Sequence, residues 1–273
     1  MIGFALAFFA AALPNAVVLQ PVANMYSKPT EDADVVSQAI YASNVAILEM
    51  KDGWAHIRTF DDYTGWAPLT ALKQAAPYAA AGHVAEVQSL AAHIYRENSV
   101  TKHAPLLTVP FETKLEVASE HGNWIEVRLP DGRPGWIQAG DVVFDGKPIS
   151  TADMLALSKK FLGRPYTWGG TSSFGYDCSG FMQMLERRRG VMMPRDAQPQ
   201  ADWSGVEPVE KTNLEPGDLL YFGSSPKHIT HTGMYLGEGK FIDATTHVTP
   251  MVRIDDLNEP FWTRLLVAQR RVK

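Results

Sequence analysis

The sequence predicts an α+β protein in which two small β-barrels precede a larger unit of mixed helix and strand. Three observations carry this expectation. The first is an internal repeat: Asp52-Gly-Trp54-Ala-His-Ile-Arg58 with Tyr63-Thr-Gly-Trp66 returns as Gly122-Asn-Trp124-Ile-Glu-Val-Arg128 with Arg133-Pro-Gly-Trp136, the tryptophans twelve residues apart in both copies. The second is that each copy holds short alternating runs between turn residues, such as Val45-Ala-Ile-Leu48 and Leu115-Glu-Val117. The third is a change of pattern beyond residue 150, where helical stripes are followed by apolar strands.

Taken in order, Ile2 to Leu13 is an apolar run without charge. It is too short to span a bilayer as a helix and matches the apolar core of a secretory signal, although the basic segment that usually precedes one is missing. Residues 1–16 are therefore read as a possible signal peptide, and the protein as exported to the periplasm or cell envelope. The alternative is a packed N-terminal helix on a cytoplasmic protein. No other segment is a candidate membrane span.

The first barrel is expected over 17–75 and the second over 80–146, each of about 60 residues. Val22-Ala-Asn-Met-Tyr26 is echoed by His93-Ile-Tyr95, and Gln74 to Gly82 reads as the linker. The four repeat tryptophans are read mostly as core fillers. Asp145-Gly-Lys-Pro148 reads as the hinge into a unit covering 150–273, where Ser150-x-x-Asp153 caps a helix ending near Gly163.

Charge narrows the role of the barrels. Residues 1–150 carry 10 basic and 16 acidic side chains, whereas the remainder carries 15 and 14. Acidic barrels are poor adhesives for polyanionic wall polymers or nucleic acid, so they are expected to be fixed parts that shape a site elsewhere. No phosphate loop, dinucleotide fingerprint or zinc signature is present, and no metal or organic cofactor is expected.

Cys178 is the only cysteine, so it has no disulfide partner within the chain. It is either a small buried apolar residue or a reactive thiol. With Phe181, Met182 and Leu185 it forms the stripe of an amphipathic helix that runs through Arg187-Arg-Arg189 and stops at Gly190. Cys178 then sits in the first turn, where unpaired N–H groups and the helix dipole favour a thiolate. A nucleophile needs a base. His231 opens a short strand, Thr232 to Leu236, that follows another at Leu219 to Phe222. An imidazole there, facing a helix N-terminus, has the cysteine–histidine arrangement of papain-like enzymes. His228 and His247 lie nearby, so spacing alone does not select His231. Gly237-Glu-Gly239 reads as a hairpin into Lys240–Thr245, which puts Asp243 on the same face as His231 as a candidate third member. His247 has the same parity, and a one-residue slip would turn both away.

Tyr166-x-Trp-Gly-Gly, Asp177-Cys-Ser-Gly-Phe, Pro216-Gly-Asp-Leu and His231-x-Gly-x-Tyr-Leu-Gly occur in this order. Together they resemble the NlpC/P60 peptidases, and the barrels resemble a pair of bacterial SH3 domains. The resemblance covers about 150–273. It implies a papain-like catalytic domain with Cys178 as nucleophile and His231 as base. The third polar residue, commonly a second histidine in that family, falls on Asp243, with His247 as the substitute.

The resemblance further implies peptidoglycan-derived muropeptides as substrates, cut between γ-D-glutamate and a diamino acid, diaminopimelate or lysine. In relatives with two SH3 domains the first barrel blocks one end of the cleft and a free N-terminal L-alanine is required. The implied amine-binding residues are Tyr166, Asp177 and the adjacent Ser179, with Tyr63 from the first barrel. Asp177 is equally a plain helix cap. Arg195 is implied to bind the D-glutamate α-carboxylate, against a surface ion pair with Asp196. The alternatives in function are an endopeptidase of intact cell wall and a wall-binding module with an inactive peptidase fold.

Overall fold

The structure is a computed structural model that describes residues 15–144 and 146–273. The apolar run at 2–13, and with it residues 1–14 of the signal-peptide reading, lies outside the described residues, as does Asp145 of the hinge, whereas Asn15 and Ala16 of that reading belong to the first strand.

The first barrel is a seven-stranded antiparallel sheet running from Asn15–Val18 to Leu72–Gln74. It starts two residues before the expected boundary, because Ala16 pairs with Val45 on one side and Gln74 on the other and is fully buried. The second barrel spans Val84–Val87 to Val142–Phe144, with a hairpin of Ala91–Ile94 and Leu107–Pro110 beside a five-stranded sheet. The repeat is visible strand for strand. Ala55 and Ile57 of Trp54–Arg58 point inward, as do Ile125 and Val127 of Trp124–Arg128. The tryptophans are on the other parity, so they are not the core fillers expected. All four are half-buried on the outer faces, where Trp54 meets Tyr26 edge-on at 5.5 Å and Trp124 meets Tyr95 at 5.5 Å.

The third unit is built on a six-stranded antiparallel sheet in the spatial order Val206–Pro208, Leu266–Val272, Leu219–Ser225, His228–Gly237, Lys240–Thr245, Met251–Asp256. Helix α1 (Thr151–Ser158) starts at Ser150, whose hydroxyl accepts the Asp153 N–H at 3.1 Å. It gives way to a 3₁₀ turn over Lys159–Phe161, so the α-helix ends earlier than expected. Helix α2 (Cys178–Arg188) packs Phe181, Met182 and Leu185 with Leu219, Tyr221, Met234 and Ile242 of the sheet. The other sheet face carries a smaller aromatic cluster of Leu220, Phe222, Phe241 and Trp262. No described helix is long and apolar enough to cross a membrane.

Helix α2 is not the half-exposed amphipathic helix the stripe predicts. Every residue from Cys178 to Glu186 is buried, since the barrels cover its far side. Arg187 pairs with Glu112 of the second barrel at 2.6 Å and Arg188 pairs with Glu86. Phe111 of that barrel enters the core of the third unit and meets Phe161 edge-on at 5.5 Å. The first barrel holds α2 through Gln183, which donates to Asp61 at 2.9 Å. The barrels therefore brace the helix that carries the thiol.

Candidate active site

Cys178 is the first residue of α2 and is 7% exposed. The helix starts there because Asp177 is extended and its carboxylate accepts the Gly180 N–H at 2.7 Å. Gly180 allows the helix to press against the preceding loop. A Cβ on it would lie 2.2 Å from the Gly170 carbonyl oxygen, so the loop and the helix start close together only with glycine there. Tyr166 stands beside Cys178, its N–H donating to Pro250 O at 3.2 Å. Burial, then the charge of Cys178 and of Asp177, raise its phenol above the ordinary value, so it remains a hydrogen-bond donor.

His231 lies inside the strand His228–Gly237 rather than opening it, because pairing with Leu219–Ser225 continues through two irregular positions to Ser225 and His228. Its Nε2 meets Asp243 Oδ2 at 2.6 Å. That leaves Nδ1 as the nitrogen toward Cys178. Asp243 is fully buried. It reaches His231 past Gly233, where a Cβ would come within 2.7 Å of Phe241 and 3.2 Å of the Asp243 Cβ. The glycine of His-x-Gly thus makes room for the Asp243 side chain beside His231.

Burial works against a charged His231, yet neighbouring Cys178 and the hydrogen-bonded Asp243 outweigh it and hold the imidazole up at about 10. Burial pushes the Asp243 carboxyl up to about 6, against the pull of His231. Between these limits Asp243 is a carboxylate and His231 an imidazolium.

The alternatives are placed elsewhere. His228 is exposed at the strand start. His247 lies beyond the end of Lys240–Thr245 and stacks flat on Phe261, ring centroids 3.9 Å apart. It makes no hydrogen bond to His231, so its matching parity does not survive the end of the strand.

Arg195 departs most from expectation. It is 3% exposed, not a surface residue, and its partner is Asp177 rather than Asp196. Nη1 and Nη2 donate to the two Asp177 oxygens at 3.0 and 2.6 Å. Nη1 also reaches Ser179 Oγ at 3.0 Å, and Nε reaches Ser37 of the first barrel at 3.2 Å. With its donors so engaged, Arg195 is not free for a substrate carboxylate. The same contacts neutralise Asp177 and occupy Ser179, which are thereby parts of the helix start rather than open amine acceptors.

Tyr63 does cross the domain boundary. Its hydroxyl donates to Asp196 Oδ2 at 3.1 Å. Asp196 was absent from the expected site, although it follows Arg195 in the same segment. Burial raises its carboxyl above the usual range, and it forms no ion pair among the described residues. A groove lined by Phe60, Tyr63, Met192, Asp196 and Trp203 runs along this contact. A larger cavity of about 560 Å³ lies where both barrels meet α2. None of these site residues lines it, and its Glu86, Glu112, Arg187 and Arg188 are paired with one another.

With this geometry in place, comparison with known proteins is direct. Over 86% of its length the chain is 31% identical to a gamma-D-glutamyl-L-lysine dipeptidyl-peptidase from Bacillus cereus, covering 74% of that protein. The chain belongs to the NlpC/P60 family. Residues 163–271 match the NlpC/P60 family model, 25–72 the bacterial dipeptidyl-peptidase Sh3 domain and 87–144 the YKFC SH3b2 domain. A second gamma-D-glutamyl-L-lysine dipeptidyl-peptidase, from Bacillus subtilis, is 28% identical over 88% of this chain and 82% of its own. The crystal structure of an NlpC/P60 family protein from Bacillus cereus superposes with a TM-score of 0.82 at 26% identity, covering 94% of this chain and 99% of that one. The chain is a cysteine peptidase of this family that hydrolyses cell-wall peptides.

Proposed function

We propose that this NlpC/P60 peptidase cuts the γ-D-glutamyl to diamino-acid bond of muropeptides whose N-terminal L-alanine is free, releasing L-Ala-γ-D-Glu. The observation that carries this reading is the Tyr63–Asp196 contact between the first barrel and the catalytic unit. A half-buried carboxylate that forms no ion pair is stabilised by an incoming ammonium. Asp196, which follows the residue clamped to Asp177, is therefore the amine acceptor, with Tyr63 beside it. The names of the two dipeptidyl-peptidase relatives agree with this choice of bond.

In the reaction, Cys178 Sγ attacks the γ-carbonyl carbon. The developing oxyanion is held by N–H groups of the first turn of α2 and by the Tyr166 hydroxyl. His231 gives its Nδ1 proton to the departing amine as the C–N bond breaks, leaving a thioester. Water, deprotonated by the same nitrogen, then releases the carboxylate product and the thiolate. Asp243 holds Nε2 throughout.

Mass spectrometry after incubation with L-Ala-γ-D-Glu-L-Lys, its diaminopimelate counterpart and their N-acetylated forms tests the proposal. The free peptides are expected to yield L-Ala-γ-D-Glu, and acetylation to slow cleavage by about 10- to 100-fold. Equal cleavage of free and acetylated peptides would support an endopeptidase of intact wall. Sedimentation with sacculi and no cleavage of any peptide would support an inactive binding module.

A further inference from the structure

The catalytic imidazole has an aromatic wall that the proton-transfer chemistry does not use. Trp262 stacks on His231 with centroids 5.2 Å apart and planes 27° from parallel. Phe222 completes a three-ring cluster, 5.7 Å from His231 and 5.0 Å from Trp262. Trp262 is 2% exposed and comes from the short helix Pro260–Leu265, outside the sheet that carries both His231 and Asp243. No acceptor among the described residues meets its Nε1, so the indole contributes here through its ring alone. Asp243 Oδ1 likewise meets no donor. The orientation of the His231–Asp243 pair thus rests on one hydrogen bond and on the rings packed around it.

We propose that Trp262 is a positioning residue: its π face stabilises the imidazolium form of His231 and keeps the ring in the plane that turns Nδ1 toward Cys178. The charged and titratable groups around the imidazole are Cys178 on α2 and Asp243 on the neighbouring strand. Behind Asp243 lie Asp255 and Arg253, and His247 meets Trp262 edge-on at 5.4 Å, with Glu259 3.9 Å from His247. All of these remain when the indole is replaced, so a change in His231 reports the ring.

The inference rests on the cysteine-peptidase reading, and its test needs no peptide substrate. Alkylation of Cys178, the only thiol, by iodoacetate is followed against pH in the full chain. A thiolate–imidazolium pair gives a bell whose alkaline limb marks loss of the His231 proton. A wild-type profile with no bell would overturn the ion-pair reading itself.

Trp262→Phe, which keeps a π face, is expected to hold the alkaline limb near its wild-type position. Trp262→Leu, equally apolar but without one, is expected to move it down by about one pH unit. Coincident limbs in wild type and Trp262→Leu would overturn the proposal. Fluorotryptophan labelling covers the case in which the leucine variant does not fold, because added fluorines weaken the π face without emptying the site. The limb is expected to fall stepwise with fluorine number in wild type and stay fixed in Trp262→Phe. An equal fall in Trp262→Phe would assign the effect to the other six tryptophans and overturn the role.

Discussion

The Arg195 guanidinium closes on the Asp177 carboxylate through two hydrogen bonds, 3.0 and 2.6 Å long, at the residue that precedes Cys178. Asp177 is also the cap of α2, so the pair fixes where that helix begins and hence where Cys178 Sγ stands. Removing one member of a buried pair leaves the other uncompensated. Arg195→Ala is therefore expected to lower stability by about 3–5 kcal/mol in denaturant unfolding. A variant that unfolds like wild type and shows only a raised KM would return Arg195 to binding a substrate carboxylate.

The catalytic roles separate by substitution. Cys178→Ala and Cys178→Ser are each expected to abolish turnover in a folded chain, since a hydroxyl is a far weaker nucleophile at neutral pH. His231→Ala is expected to match them, with His228→Ala near wild type. Asp243→Asn should lower kcat by orders of magnitude, as loss of a triad carboxylate does elsewhere, while His247→Ala has a smaller effect. Near-normal turnover in Asp243→Asn, with an inactive His247→Ala, would exchange those two roles.

The pH profile of kcat/KM follows from the same pair. Activity is expected to fall below about pH 6 as Asp243 takes up a proton and ceases to accept from His231. It is expected to fall again toward pH 10 as the imidazolium is lost. In Asp243→Asn the acid limb near pH 6 should disappear. Persistence of that limb would assign it to another group.

Tyr63→Phe removes only the hydroxyl that meets Asp196. Cleavage of the free tripeptide is expected to drop about five-fold, the worth of one hydrogen bond near 1 kcal/mol, with little change in thermal stability. Lower stability with unchanged activity per folded molecule would make Tyr63 a packing residue of its own barrel.

Glu186 is buried on α2 with Arg189 as its partner at 2.9 Å. Burial pushes its carboxyl up to about 7 despite that partner. The folded state therefore holds a proton that the unfolded chain, titrating near 4.5, has released. Stability from this source is complete below pH 4.5 and declines as pH rises to 7, by about 3 kcal/mol in all. Glu186→Gln is expected to flatten that decline in unfolding measured across this window. An unchanged slope would place the titration elsewhere.

The motif residues were legible because each answers a local demand. A thiol at a helix start, glycines where backbones approach, and a histidine and aspartate of one parity on paired strands all follow from chain geometry at short range. The strand repeat of the barrels was legible for the same reason, since alternation marks which residues face inward. Where local rules were pushed further they failed. The parity of His247 ceased to matter once its strand had ended, and the repeat tryptophans followed the alternation outward rather than the preference of large aromatics for a core.

What the sequence by itself determined was the order of domains, the start of α2 at Cys178 and the two-strand setting of His231 and Asp243. Only the tertiary structure decided the partner of Arg195, the burial of α2 on all sides, the reach of Tyr63 to Asp196 and the stacking of Trp262 on His231. Arg195 sits next to Asp196 in the chain, yet it pairs with Asp177 eighteen residues away. A buried guanidinium takes the carboxylate whose geometry and desolvation match its fork, and folding rather than sequence distance brings that carboxylate within reach.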